Sequence, residues 1–397
     1  MTDKGEGWSS RLDVTAAIGL MLVVQTSISL LSACIPVLAP IIVADRGWNA
    51  ALVASYPAIV FSVAFLFSFA VPPILASTGG MALSIVCLGL CGIGILCLIS
   101  PNLALMAGAP LAIGCASASM NPASSQVLGS RSTSRTAGLM ISIKQSGVPL
   151  GGVLAGALVP WLVIRSSGWR EVVVELAVTA VGVSIAVLPS VRWLDSPAAS
   201  VAPSAYRPFD PMKRLLALPR MLPLLLASFV FTGIQVCLRT FFTVYLVDDL
   251  GISLTTAGFA FSASQAAGVV GQIGWAVLSD RLLAAHSVMA IVGIMIAGAT
   301  FLTAALTSES PRYVVVAIAL LFGGSAAGFV PVVLGEVARR SPPGRAGILT
   351  TGVQPFLMGG ALVGPLAFGM IVSAFGFPTA FMAAAGCAIL GVAVLAP

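Results

Sequence analysis

The chain has 397 residues, of which 58% are hydrophobic and only 8% are charged. Soluble domains carry about 25% charged residues, so this composition excludes an ordinary soluble protein and predicts a polytopic membrane protein. Only helices and closed barrels span lipid, and barrel strands alternate over about ten residues. The apolar runs here last about 20 residues or more, the length of a membrane helix, so we predict an all-α fold.

Twelve apolar runs of membrane-spanning length follow one another between polar breaks. They are residues 13–41, 49–73, 79–99, 102–128, 136–164, 169–191, 221–247, 254–278, 284–306, 311–336, 346–374 and 377–396. The widest polar interval separates six spans from six. We therefore predict an N-terminal six-helix bundle at 1–191, a cytoplasmic linker at 192–220 and a C-terminal six-helix bundle at 221–397.

The positions of the basic residues give the orientation, and they account for the net charge of +6 without a nucleic-acid partner. If the N-terminus is cytoplasmic, thirteen Lys and Arg lie in cytoplasmic segments and four in external loops. Basic residues concentrate on the cytoplasmic side of membrane proteins. We predict that both termini are cytoplasmic, and that the chain is a monomer in the bilayer of the cell inner membrane.

An internal repeat supports two similar halves, because a shift of 209 residues aligns spans 4–5 with spans 10–11 without a gap. The matches include Pro122 with Pro331, Arg131 with Arg340, Gln145 with Gln354 and Gly151 with Gly360. Parallel repeats of this kind are a transporter architecture with the substrate site near the membrane midplane. We predict that the glycines between Ile141 and Gly156 serve packing between the halves.

Several local motifs resemble those of the major facilitator superfamily. The segment from Gly271 to Arg281 resembles the signature loop between helices 8 and 9, although Ala276 stands where the family usually has glycine. The equivalent loop between helices 2 and 3, Leu75 to Gly80, keeps its glycines but lacks Asp and Arg. Gly168-Trp169-Arg170 resembles the usual start of helix 6. The resemblance covers nearly the whole chain and implies two bundles that alternately open a central site.

Two basic residues lie inside the predicted spans, Lys144 and Arg239, whereas all thirteen acidic residues lie in loops or within about two turns of a helix end. Buried charges need partners, and neither cation has a carboxylate at matching depth. An arginine fork can hold a carboxylate through two hydrogen bonds. We therefore predict an anionic small-molecule substrate, a mono- or dicarboxylate.

Alternatives remain open for both cations. Lys144 lies about 12 Å into span 5, from where it could reach the cytoplasmic surface. Arg239 could pair with Asp248 or Asp249, about 12–15 Å away along a straight helix. Because the two cations differ in depth by about 15 Å, the substrate is extended, or the cations act in different access states, or only one binds.

Polar residues in the middle of the predicted spans complete the predicted binding site: Gln25, Asn121, Gln145, Gln235, Gln265 and Gln354. The alternative is that they form interhelical hydrogen bonds, worth about 0.6 kcal/mol each. A cytoplasmic gate is predicted at Asp280 and Arg281. By resemblance this loop lies near the start of helix 5, where Arg131 or Arg135 could pair with Asp280, and Arg340 repeats Arg131.

No enzyme motif, metal-ligand set or phosphate-binding loop occurs, so we expect no catalysis, no cofactor and no direct use of ATP. The predicted function is secondary transport of an organic anion. Symport with H⁺ would use Asp13, Glu175 or Glu336 near helix ends, or a proton on the substrate; exchange and uniport also fit. The alternatives are a drug or metabolite exporter, although span 4 lacks the arginine common in proton-coupled exporters, and a transceptor or lipid scramblase.

Overall fold

The computed structural model describes residues 3–46, 56–132, 136–195, 207–342 and 345–395. Within these ranges the regular secondary structure is helical and no strand occurs. Two features of the sequence interpretation lie outside the described residues, namely Arg135 and the first part of the span predicted at 49–73.

The first half of the sequence forms eight helices, joined by single turns at Cys97–Ile99, Leu103–Met106, Leu188–Ser190 and Val191–Leu194. They are α1 (Asp3–Arg46), α2 (Tyr56–Ser68), α3 (Val71–Thr78), α4 (Gly80–Leu96), α5 (Gly108–Gly129), α6 (Ala137–Gln145), α7 (Gly147–Arg165) and α8 (Trp169–Val187).

The second half also forms eight helices, with a π-helical turn at Tyr245–Asp249. They are α9 (Asp210–Leu216), α10 (Met221–Val244), α11 (Leu254–Arg281), α12 (Ala285–Ala304), α13 (Arg312–Ala326), α14 (Phe329–Arg340), α15 (Ala346–Thr351) and α16 (Gln354–Leu395).

Among the described residues, nine helical segments are long and apolar enough to cross a membrane, or ten if the pair α2 and α3, bent by 68°, forms one span. The number twelve therefore stays a prediction. The difference arises partly at α11, which is absent from the nine although it has 28 residues. Its polar side chains, Gln265 and Gln272 among them, lower its hydropathy. It also arises at α16, which joins two predicted spans across Gly376, where φ is +82°.

Contacts divide the chain into two compact units, and each is described here by itself. Unit 1 contains Met1–Lys213 and Val337–Gly352, and unit 2 contains Arg214–Glu336 and Val353–Pro397. Unit 1 includes α15, which comes from the second half of the sequence, and the predicted domain bounds stay a prediction. The reason is close packing on α5, since a Cβ added to Gly347 would lie 2.8 Å from the carbonyl oxygen of Pro122.

Glycines set the closest helix contacts inside each unit. In unit 1, a Cβ added to Gly151 of α7 would lie 2.6 Å from the carbonyl oxygen of Thr26 in α1. In unit 2, the repeat-related Gly360 of α16 lies against the carbonyl group of Phe229 in α10. Each glycine thus packs its helix on the first predicted span of its own unit. These contacts of Gly151 and Gly360 lie within the units, not between the halves as the sequence suggested.

Arg46 ties the C-terminal end of α1 to the turn that follows α4. Its guanidinium donates hydrogen bonds to the carbonyl oxygens of Ser100 at 2.6 Å, Ile99 at 2.8 Å and Leu98 at 3.1 Å. The last carbonyl groups of a helix have no partner within the helix and carry partial negative charge, so a cation stabilises them.

Asp45, next to Arg46, ties the same end of α1 to the start of α8. Its Oδ2 accepts hydrogen bonds from Trp169 Nε1 at 3.2 Å and from Arg170 Nη2 at 2.7 Å. The indole hydrogen bond, and then the hydrogen bond and charge of Arg170, lower the pKa of Asp45. The Gly-Trp-Arg motif therefore has a packing role at the C-terminal end of α1 in unit 1.

Asp45 should make stability depend on pH. Because its pKa is lowered by folding, its contribution is present above the unfolded value of about 3.9 and is lost as pH falls through the lower folded value. We expect the melting temperature to fall less in Asp45→Asn than in the native protein between about pH 5 and about pH 3. Thermal unfolding in detergent at each pH measures the melting temperatures of the two proteins. Asp248→Asn, at an exposed position, is the control. Equal pH dependence of the melting temperature in Asp45→Asn and in the native protein would contradict the assignment.

Candidate functional site

The side chain of Lys144 is fully buried at the end of α6. Its Nζ donates hydrogen bonds to the carbonyl oxygen of Met120 at 3.4 Å, to Asn121 Oδ1 at 3.4 Å and to Gln145 Oε1 at 3.3 Å. All three acceptors are neutral, and the distances exceed the 2.7–3.2 Å of good N–H···O bonds. Within the described ranges Lys144 has no carboxylate partner. Full burial contradicts the alternative in which it reaches the cytoplasmic surface.

Prolines explain why α6 and α15 end where they do. Pro149 cannot donate a hydrogen bond to the carbonyl oxygen of Gln145, four residues earlier, and α6 ends at Gln145. Pro355 has the same relation to Thr351, where α15 ends. In each half of the sequence a helix is therefore interrupted close to a buried glutamine, Gln145 or Gln354.

Further buried polar side chains lie on the helices that pack around Lys144 in unit 1. Gln25 of α1 is 6% exposed and packs against the α6–α7 junction, because a Cβ added to Gly147 would lie 3.0 Å from Gln25 Cβ. Ser125 lies one turn after Asn121 on the same face of α5 and is fully buried. We call Gln25, Asn121, Ser125, Lys144 and Gln145 the unit 1 polar cluster.

Two oxygen atoms of the unit 1 polar cluster have no hydrogen-bond partner in the described structure, Gln25 Oε1 and Ser125 Oγ. The amide nitrogen of Gln25 is engaged, since it donates to Ser29 Oγ at 3.2 Å. An unsatisfied buried polar group costs about 1–3 kcal/mol. Helices α1, α5 and α6 thus bring Lys144 and buried hydrogen-bonding groups together. The unsatisfied groups cost stability, and such a cost is typical of a functional site.

In unit 2, a polar stripe runs along α10 through Ser228, Thr232, Gln235 and Arg239. The spacings of four, three and four residues place these side chains on one face of the helix. Exposure rises along the stripe from 0% at Ser228 and 6% at Thr232 to a half-buried Gln235 and an exposed Arg239. Neither Gln235 nor Arg239 has a hydrogen bond or ion pair with another described residue.

The described structure does not contain the alternative pairing of Arg239 with Asp248 or Asp249, because no ion pair joins them. Gln265 in α11 is half-buried, and its Nε2 donates to Ser264 Oγ at 3.4 Å. Gln354 is fully buried at the start of α16. Their roles in substrate binding stay predictions.

The predicted gate residue Arg131 is engaged inside unit 1. Its Nε lies 2.9 Å from Asp13 Oδ2, and its two terminal nitrogens donate to the carbonyl oxygens of Leu194 and Trp193, both at 3.1 Å. The pairing of Arg131 with Asp280 stays a prediction. Arg131 joins the start of predicted span 1, through Asp13, to the ends of predicted spans 4 and 6.

The other predicted gate residues lie at helix ends. Asp280 and Arg281 are the last two residues of α11, and Arg340 is the last residue of α14. Arg135, the second candidate partner of Asp280, lies outside the described residues. The gating role of these residues stays a prediction.

Sequence reasoning missed Asp195, which caps α4. Its two carboxylate oxygens accept hydrogen bonds from the backbone N–H groups of Met81 and Ala82, both at 2.8 Å. It lies close against Gly79, whose φ is +87°. Asp195 therefore supplies, from beyond span 6, the acid that the loop between spans 2 and 3 lacks. The lack of a capping side chain in that glycine-rich loop was the available signal.

Long apolar helices with interior polar clusters are the architecture of membrane transport proteins. A family model described as "Major Facilitator Superfamily" matches residues 21–354 and 224–397, and the chain belongs to that superfamily. Members of that superfamily are multi-pass membrane transporters and not enzymes.

Relatives of known sequence are similar over part of their length. The chain is 28% identical over 258 residues to the uncharacterized MFS-type transporter MT3072 of Mycobacterium tuberculosis strain CDC 1551, covering 62% of this chain and 53% of that protein. Rv2994 of strain H37Rv matches with the same identity and coverage. The chain thus spans about half the length of these curated relatives.

Solved structures show the same fold. The human organic anion transporter MFSD10 superposes with a TM-score of 0.76 at 16% identity, covering 98% of this chain and 99% of that one. A bacterial homologue of the iron transporter ferroportin, in an outward-facing state, gives 0.73 at 14% identity, covering 96% and 98%. The fucose:proton symporter FucP of E. coli gives the same values. At these identities the likeness shows the fold alone.

Proposed function

We propose that this protein is a secondary active transporter that moves a small organic anion, a mono- or dicarboxylate, across the cell inner membrane by alternating access. The observation that carries the proposal is the Lys144 side chain, which is fully buried and whose nitrogen contacts only neutral acceptors. A buried cation without an anionic partner is costly, so a carboxylate beside it would be strongly stabilised.

Arg239 provides a second cationic contact. It is exposed at the outer end of the polar stripe of α10 and has no partner among the described residues. Its planar guanidinium can hold a carboxylate through two parallel hydrogen bonds. Gln235, one turn away on the same face, adds an amide donor. We assign these two side chains to initial capture of the anion.

The different exposure of the two cations supports separate roles. In one and the same structure Arg239 is exposed, whereas Lys144 is fully buried. Of the three alternatives left open by the sequence, action in different access states fits this difference best. The fold shared with the human organic anion transporter is compatible with an anionic substrate but assigns none.

A thermal-shift screen of the purified protein tests the substrate class. Pyruvate and succinate represent mono- and dicarboxylates, and tetraphenylphosphonium represents lipophilic cations. A carboxylate at 100 times its dissociation constant would add about 2.7 kcal/mol, which we expect to raise the melting temperature by about 2–5 °C. Stabilisation by the lipophilic cation alone would contradict an anion carrier and favour the drug-exporter alternative.

The role of Arg239 is tested in the same assay. We expect Arg239→Gln to weaken carboxylate binding by about 10- to 100-fold, because one charge-assisted bidentate contact is lost. Arg312→Gln removes an exposed arginine at the start of α13 and serves as the control. Equal carboxylate affinity in Arg239→Gln and Arg312→Gln would remove Arg239 from the site.

A further inference from the structure

Lys144 combines a buried amine with surroundings that hold no fixed negative charge. Its nitrogen has three neutral acceptors at 3.3–3.4 Å and no contact with water, since the side chain is 0% exposed. An ammonium group in such a place is costly, whereas a neutral amine is not. The charge of Lys144 should therefore depend on whether an anion lies beside it.

Among the residues whose side chains the structure describes, the other titratable groups on the helices that pack against α6 are engaged elsewhere or uncharged. On α1, Asp13 pairs with Arg131, while Asp45 and Arg46 bind the outer ends of α8 and α4. α5 carries the thiol of Cys115, and α1 also carries the thiol of Cys34. On α7, Arg165 stacks over the ring of Trp161 at 5.3 Å. None of these supplies a negative charge to Lys144.

We infer that Lys144 is the proton carrier of the transport cycle, binding one H⁺ together with the carboxylate and releasing it when the carboxylate leaves. This inference rests on the proposed function and names the coupling ion of the same site. It also removes the need for a carboxylic acid in the middle of a span.

The cycle balances in charge and atoms. In the empty carrier Lys144 is a neutral amine, whose two N–H groups can serve two of the three acceptors at a time. On loading, a proton from the source side converts the amine to an ammonium, and the substrate carboxylate becomes its counter-ion. On release the carboxylate departs and the proton leaves the ammonium for water on the same side. No covalent bond to the substrate forms, and one H⁺ accompanies each anion.

The charge balance distinguishes mono- from dicarboxylates. A monoanion with one proton carries no net charge, so its uptake should not respond to the membrane potential. A dianion with one proton carries one net negative charge, so its uptake should slow when the interior is made negative. This contrast follows from a single proton-carrying group.

The test uses the full chain in proteoliposomes that contain a pH-sensitive dye, with the potential set by potassium and valinomycin. We expect inward gradients of pyruvate and of succinate to acidify the lumen, with only succinate uptake sensitive to the potential. Lys144→Arg keeps a permanent cation, which cannot release its proton. We expect it to lose net uptake at least about tenfold more than it loses exchange of internal for external anion.

Lys213→Arg makes the same change at an exposed position and is the matched control. Lys144→Met provides a second variant, expected to lose both net uptake and exchange while eluting as a folded protein. Carboxylate uptake without lumenal acidification by the native protein would overturn the inference and leave the proposed function standing. A Lys144→Arg protein that moves as many protons per carboxylate as the native protein would also overturn the inference. Failure of the native protein to bind or move either carboxylate would instead overturn the proposed function.

Discussion

Replacing Lys144 by methionine is expected to separate stability from ligand binding. The substitution removes a buried polar group with three long hydrogen bonds and keeps most of its volume. We expect the empty protein to become more stable by about 1–3 kcal/mol, because a buried amine that makes only long hydrogen bonds costs stability. We also expect the stabilisation by pyruvate or succinate to disappear, because the counter-charge is gone.

Thermal unfolding with and without the carboxylates measures both effects. Lys213→Met, at an exposed position, should change neither. A Lys144→Met protein that is much less stable than the native one would show that Lys144 is a structural residue. Unchanged protection by carboxylates would show that the ammonium does not bind them.

The second large effect is expected at Gly271, where α11 crosses α13. Gly271 lies against the carbonyl group of Gly324, which also accepts a hydrogen bond from Trp275 Nε1 at 2.9 Å. Gly323 lies equally close to the carbonyl group of Ser264. A methyl group at Gly271 would therefore push two backbones apart. We expect Gly271→Ala to destabilise unit 2 by about 1–3 kcal/mol.

Gly274→Ala on the same helix is the matched control, because nothing lies within 4 Å of its added Cβ. That variant should be within about 1 kcal/mol of the native protein, and on the stable side, since alanine favours helix more than glycine does. The melting temperatures of Gly271→Ala and Gly274→Ala, measured in one detergent, test this prediction. Equal stability of the two alanine variants would mean that the contact with Gly324 is not tight.

Periodic and repeated features could be predicted from sequence because each depends on local chemistry. Apolar length predicted the helices, and the 209-residue repeat placed Gly151 and Gly360 at corresponding positions. The structure then shows that both pack on the first predicted span of their own unit. The apolar pattern did not indicate the lower hydropathy of α11 or the bend between α2 and α3, because both depend on a few positions.

Contacts between distant parts of the chain could not be predicted in the same way. Asp195 caps α4 across 114 residues, and Arg131 pairs with Asp13 across 118. No sequence pattern specifies such partners. For Lys144, helix depth left open whether the amine reaches the surface; only the packing of α1, α5 and α6 around it decides that it does not. Its role as a binding residue stays a proposal.

The place of α15 in unit 1 has a consequence for biosynthesis. Ribosomes make the chain from its N-terminus, so Lys213 emerges about 140 residues before Gly352 completes unit 1. Until then, the surface of α5 at Pro122 and Gln126, which Gly347 covers in the finished protein, has no neighbour from α15. Unit 1 can therefore reach its final packing only after most of unit 2 has been translated, and a nascent chain that stalls earlier offers this surface to chaperones and membrane proteases.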